Sequence, residues 1–217
     1  MALKNYKSIA ACNVRLGPLM FLVGANGAGK SHGEVRAVPV LIRRVARTLG
    51  VPVDIPHPIR ISGSKLAQQG ELERAVELAS RTVGGRGAIL VLLDSDDNCP
   101  AEVGPPLLAR ATSARGDLPV AVVLAKSEFE AWFLAAAESL RGRQGLAPDL
   151  QAPSHPEAIR GAKEWLRVRM PAGRKYVETE DQAVLTEHFD LDLARRRADS
   201  FDKCYREIAR LLAAPGV

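Results

Sequence analysis

Cysteine is scarce in this 217-residue chain. Cys12, Cys99 and Cys204 stand far apart and odd in number, which argues against a disulfide framework and against zinc-ligand pairing. A reducing cytoplasm is the simple expectation. No apolar run reaches the roughly 18 residues of a membrane span, and the opening MALKNYKSIAACNVRLG lacks the continuous apolar core of a secretory signal. The expectation is therefore a soluble protein without membrane contact. Aromatic residues make up only 5%, and no internal repeat or low-complexity tract appears. The remainder is ordinary for a globular chain, 47% hydrophobic and 25% charged, so disorder is excluded as well. A net charge of +5 and a pI near 9.3 fit an acidic partner such as nucleic acid, although the excess is modest.

The stretch around which the rest is organised is AILVLLDSDDNCPAE, residues 88–102. Its apolar run, Ala88 to Leu93, ends in Asp94, Asp96 and Asp97 and reads as a buried parallel strand with carboxylates at its mouth. In open α/β sheets ligands collect at the carboxyl ends of strands, and acids two residues apart can converge on a divalent cation. The plainer alternative is an acidic turn in which Asp97 or Asn98 caps the next helix, with Pro100 in its first turn.

Around that strand the pattern alternates. PLMFLV at 18–23 and LPVAVVLA at 118–125 read as further buried strands, Ile59–Ile61 as a short one, and residues 1–16 as a weak hairpin. Helices are expected at 33–49, with Pro39 in its first turns, at 70–83, at 100–114 and at 127–142. The last opens with Ser127 in capping position and with Glu128 and Glu130 in its first turn. Alternating strands and helices predict a doubly wound, mostly parallel α/β sheet flanked by helices. From 143 a proline-rich loop leads to polar helices at 157–168, 180–198 and 201–213, a helical C-terminal extension. The expected organisation is thus an N-terminal strand-and-loop segment over 1–31, a core over 32–142 and the extension over 143–217.

GANGAGKS at 24–31 matches the phosphate-binding loop, with a strand before it and a helix after it. In that pattern the amides of Gly24, Asn26, Gly27 and Gly29 cradle phosphates, Lys30 reaches the terminal ones and Ser31 sits on magnesium. Residues 3–31 resemble the amino terminus of SMC-like and recombination-type ABC ATPases, and ILVLLDSDD resembles a Walker B strand in which Asp94 holds the metal. That resemblance implies ATP as a cofactor. No LSGGQ-like segment, glutamine-loop strand or coiled-coil insertion follows.

From His32 onward a second resemblance is more extensive. HGEVRAVPVLIRR, SKLAQQGELERAVELA, GAILVLLDSDDNCPAE, VVLAKSEFEAWFLAAAESLRG, IRGAKEWL, GRKYVETEDQAVLT and SFDK resemble, in order, the Toprim-like bacterial family known as domain of unknown function 4276. This implies a Toprim-like sheet with a magnesium (or manganese) site for nucleic-acid phosphodiesters. It also implies a partner ATPase in a defence or repair setting. The implied ligands are Asp94 and Asp96, with Asp97 adjacent, and Glu128 and Glu130, of which Glu128 lies nearer the strand end. The family places a glutamate just before HGEV; here Lys30 of the phosphate loop stands there, and Glu34 is the only nearby acid.

The expected function is accordingly a magnesium-dependent nuclease-type protein. The alternatives are a phosphate-loop nucleotide-binding protein and an inactive regulatory protein that has lost the family glutamate. His32, His57, His155 and His188 are scattered and read as surface or loop residues, while Trp132 and Phe133, and less firmly Trp165, read as core. The basic tracts at Arg167, Arg169, Arg174, Lys175 and Arg195–Arg197 either touch a phosphate backbone or are simply solvated. Lys126 either neutralises a phosphate at the acidic site or pairs with Asp96.

Overall fold

The computed structural model describes residues 18–25, 33–62 and 68–214. The hairpin expected over 1–16 lies outside them, as do Asn26, Gly27, Gly29, Lys30 and Ser31. In chain order, β1 (Leu19–Ala25), α1 (Gly33–Leu49), β2 (Ile59–Ser62), α2 (Glu71–Thr82), β3 (Ala88–Asp94), α3 (Pro100–Ala114) and β4 (Val120–Ala125) form a parallel α/β unit. The four strands lie in the order β2-β1-β3-β4, every pair parallel.

This order dictates the layers. The chain leaves β1 outward to β2, then returns past β1 to β3 and β4, so right-handed crossovers put α1 on one face and α2 and α3 on the other. Side chains alternate accordingly. Phe21, Leu90 and Val123 pack towards α1, whereas Leu22, Val91 and Val122 pack towards α2 and α3. One helix cannot cover the α1 face alone.

The C-terminal residues complete it. After β4 come α4 (Ala131–Ala135), three short 3₁₀ turns, α5 (Ala162–Arg167), α6 (Glu178–His188), α7 (Leu191–Arg197) and α8 (Asp199–Leu212). Arg44 of α1 donates to the carbonyls of Thr186 and Phe189, at 2.8 Å each, and so locks α6 against α1. Phe201, Cys204, Ile208 and Leu211 of α8 join the same core. Arg210 covers the open edge of β4 by donating to the Val120 carbonyl at 2.8 Å. The expected helical C-terminal extension is therefore present, and it packs into the core on this face.

Three expected helices differ from the sequence reading, that at 157–168 because only the turn Pro156–Ala158 and α5 form there. The helix expected at 127–142 is reduced to α4 and the turn Ala137–Leu140. Ser127 has φ 64, and the ends of β3 capture the amides that would start a helix: Ser95 Oγ accepts from Ser127 N at 3.1 Å and Asp94 Oδ1 from Phe129 N at 2.9 Å. Every residue from Phe129 to Ala137 is buried, so the segment has no polar face to present. Its aromatic rings form a chain with those of the C-terminal helices, Trp132 to Phe201 at 5.2 Å and Phe133 to Phe189 at 5.6 Å between centroids. The helix expected at 180–198 is divided at Phe189, where Asp190 caps α7 by accepting from Leu193 N at 2.8 Å. Among the described residues no helix is long and apolar enough to cross a membrane.

Candidate functional site

The sheet order reverses between β1 and β3, and there the carboxyl ends of the two strands lie side by side, Gly24 opposite Leu93. Crevices at such switch points are where open α/β sheets bind ligands. Asp94, the last residue of β3, stands at this crevice.

Two other elements bring acids to Asp94, and a third adds one beside those two. Glu34 projects from the first turn of α1 and is buried. Glu130 enters from the turn after β4 and is fully buried. Glu178 opens α6. Gly33 makes this convergence feasible: a Cβ there would meet Gln182 Oε1 at 2.1 Å and the Glu178 carbonyl at 2.8 Å, so only glycine lets α1 start this close to α6. The start of α6 is itself held by buried Asp181, which bonds Arg174 and accepts from Val177 N at 2.8 Å.

Among the described residues a single lysine lies among these acids. Lys163 of α5 places Nζ 3.2 Å from Glu178 Oε1. Burial alone lowers its pKa, but Glu130, Glu178 and Asp94 more than reverse this and raise it above the usual lysine value. The acids respond to enclosure and to one another. Burial raises Asp94 well above the ordinary range, with Glu130 and Glu34 adding to the rise and Lys163 opposing it. Burial likewise raises Glu34. Glu130 is pushed up to about 8, chiefly by burial, Lys163 opposing and Glu34 and Glu178 reinforcing the rise. Its Oε1 accepts from Tyr176 Oη at 3.0 Å and Gln182 Nε2 at 3.1 Å, which fixes the carboxylate in place.

Four buried oxygens of this cluster, Glu34 Oε2, Glu130 Oε2, Glu178 Oε2 and Gln182 Oε1, have no hydrogen-bond partner among the described residues. Orphaned buried acceptors are costly, and here they share one pocket of negative charge. All are hard oxygen donors, the kind magnesium and manganese prefer. As they stand, no three Asp, Glu, His or Cys side chains among the described residues are gathered at metal-holding distance. Burial favours the protonated form of Asp94, Glu34 and Glu130, and Lys163 opposes the remaining negative charge. The donor set thus fits a hard dication in kind.

The other expected ligands are placed differently. Asp96 is exposed at φ 48, its amide donating to the Ser127 carbonyl at 3.1 Å. Asp97 is exposed and pairs with Arg160 at 2.9 Å. Glu128, read as nearer the site than Glu130, is half-buried and accepts from Lys163 N at 3.3 Å, so it supports α5. The turn at Ser127 reverses the order, carrying Glu130 inward. The capping alternative also differs: the residue before α3 is Cys99, with no side-chain cap, while Asn98 donates back to the Ser95 carbonyl at 3.1 Å. Of the phosphate loop only Gly24 and Ala25 are described, within β1. Lys163, Tyr176, Glu178 and Gln182 were not singled out from sequence. Their signal was their presence in IRGAKEWL and GRKYVETEDQAVLT, two of the segments that carried the family resemblance.

The raised pKa of Glu130 has a measurable consequence. An acid whose folded pKa lies above its unfolded value stabilises the fold while protonated and loses that contribution as pH rises. Between about pH 4.5 and 8 the native state should therefore lose stability through Glu130. Urea unfolding across this window should show a flatter pH dependence for Glu130→Gln than for wild type. Parallel curves would contradict the buried, proton-holding carboxyl.

No curated protein and no solved structure matches the chain. The family described as Domain of unknown function (DUF4276) matches over residues 32–209, a span that contains Glu34, Asp94, Glu130, Lys163 and Glu178. With most of its length inside that match, the chain belongs to this family.

Proposed function

We propose that the protein is a Toprim-like, magnesium- or manganese-dependent nuclease-type phosphodiesterase, with Asp94, Glu34 and Glu130 as its metal-binding acids. The observation that carries this reading is that Glu34, Glu130 and Glu178, each with one buried oxygen unpartnered among the described residues, gather near Asp94 at the switch point of the parallel sheet. Such an arrangement costs stability in isolation and is of use where a dication repays it. Glu34 supplies a carboxylate one turn beyond the position where Lys30 replaces the family glutamate.

A bound dication there would orient the phosphate, activate a water and stabilise the leaving oxygen. The chain's own residues prepare for this. Tyr176 and Gln182 hold the Glu130 carboxylate in one orientation. Phe129 N does the same for Asp94. Lys163 offsets part of the charge, so the cluster tolerates ionisation of some of its acids near neutral pH. Because ligands must be ionised to bind metal, affinity should rise with pH up to about 8, where Glu130 loses its proton. The setting implied by the Toprim-like resemblance is defence or repair beside a partner ATPase.

The direct test is incubation of labelled single-stranded and duplex DNA and RNA with the purified chain in Mg²⁺, Mn²⁺ or EDTA. Cleavage that needs metal and increases from about pH 6 to 8 is expected. Nucleotide binding by residues 24–31 is the competing reading, and Lys30→Ala separates the two: cleavage persists if the carboxylates carry the chemistry. Intact nucleic acid under every metal condition would contradict the proposal and favour a regulatory role.

A further inference from the structure

We propose that the cleft on the β4 side of the carboxylates binds one unpaired nucleotide of a nucleic-acid strand, its phosphates on Lys126, Lys203 and Arg196 and its base in the cavity they surround. The inference deepens the nuclease reading of the Asp94 site and rests on it.

The cleft consists of two adjoining cavities of about 510 and 260 Å³ that share Lys126 as a common wall. The larger lies between the turn before α3 and the first turn of α8, and Leu124, Pro100 and Ala101 give it an apolar lining. Lys203 lines the same cavity, and Arg196 lines the smaller one.

Charge distinguishes this cleft from the rest of the basic surface. Arg160, Arg195, Arg197, Arg206 and Arg210 nearby are all committed to carboxylates. Lys126, Lys203 and Arg196 form no ion pair among the described residues, although all three line a concave surface. The lining acids are largely spoken for. Asp97 pairs with Arg160, and Glu157 caps α8 by accepting from Asp199 N at 3.1 Å and Ser200 N at 3.0 Å. Asp199 is left opposite three uncommitted cations.

Position ties the cleft to the carboxylates. Asp94 pairs in register with Ala125, so Lys126 begins one strand spacing, about 4.8 Å, to the side of Ser95. A strand whose phosphate lies over Asp94 and which crosses from β3 to β4 would bring a neighbouring phosphate to Lys126. The apolar cavity then meets the nucleoside. A base within a duplex is stacked and paired and cannot enter, so the occupant is an unpaired nucleotide. With no aromatic ring in the lining, the cavity selects by size and apolarity and not by stacking.

The test is fluorescence anisotropy of a labelled single-stranded DNA oligonucleotide in EDTA, where cleavage is suppressed, over a range of salt. The triple variant Lys126→Ala/Lys203→Ala/Arg196→Ala should bind at least about 10-fold more weakly. Its slope of log K against log salt should be shallower by about 2, near 0.7 for each of three lost contacts on a single strand. Ala101→Trp, which fills the cavity and leaves the cations, should remove the preference for single-stranded over duplex DNA. Mn²⁺-dependent hydrolysis of bis(4-nitrophenyl) phosphate by the wild type reads the carboxylates separately from strand binding. Equal affinity and equal salt slope for wild type and the triple variant would overturn the cleft. So would unaltered strand preference in Ala101→Trp. Failure of wild type to hydrolyse the small diester would count against the nuclease reading alone, since the binding measurement stands without it.

Discussion

Asp94→Asn is expected to lose metal-dependent cleavage by at least about 100-fold and, without metal, to raise stability by about 1–2 kcal/mol. The two effects share one cause. Enclosure, with Glu130 and Glu34 beside it, penalises the ionised form of Asp94 and raises its pKa, so the folded state holds a proton there that the unfolded chain gives up at neutral pH. Asparagine keeps the acceptor for Phe129 N, so the turn after β4 survives while the charge is removed. A residue retained for structure would give the opposite sign, lowering stability when changed. Thermal unfolding in EDTA, beside cleavage in Mn²⁺, reads both effects. Lost cleavage with lowered stability would mean that Asp94 acts as a structural cap on residues 127–129.

Lys163→Met is expected to destabilise the chain by about 3 kcal/mol near pH 8 and by far less near pH 5. Lys163 is the cation that Glu130, Glu178 and Asp94 share, and its removal leaves buried carboxylates without compensation. Raised folded pKa values set the sign: at low pH the acids hold their own protons and need no lysine, whereas ionisation at higher pH requires it. Urea unfolding at the two pH values measures the difference. Glu178→Gln in the same chain should recover part of the loss, because it removes a carboxylate that Lys163 contacts directly. An equal loss at both pH values would assign Lys163 a packing role only.

Sequence reasoning read the fold well wherever the signal was local. The apolar run Ala88–Leu93 is a buried strand paired on both sides, and helices 33–49 and 100–114 end where their periodicity and flanking residues placed them. It also put Asp94 at the mouth of the central strand and kept Glu34 as a substitute acid. The errors arose where distant groups decide local shape. Ser127–Glu130 carries good helix-start chemistry, yet Asp94 and Ser95 take its amides and turn Glu130 inward in place of Glu128. Nothing within residues 127–142 reveals that competition. The helical C-terminal extension is there as the sequence predicts, but its polar faces hide that it also shares the core. Only the strand order, which leaves α1 alone on its face, shows that something must cover it. Lys163, Glu178 and Gln182 reach the site across that same packing, from positions far along the chain from Asp94.

Calorimetric titration of wild type and Asp94→Asn with Mn²⁺ near pH 7, in two buffers of different ionisation enthalpy, tests the central claim most directly. The account predicts that wild type binds manganese and releases protons, since Glu130 and its neighbours must ionise to accept the metal, and that Asp94→Asn does not bind. Undiminished binding by Asp94→Asn, or binding by wild type without proton release, would contradict it.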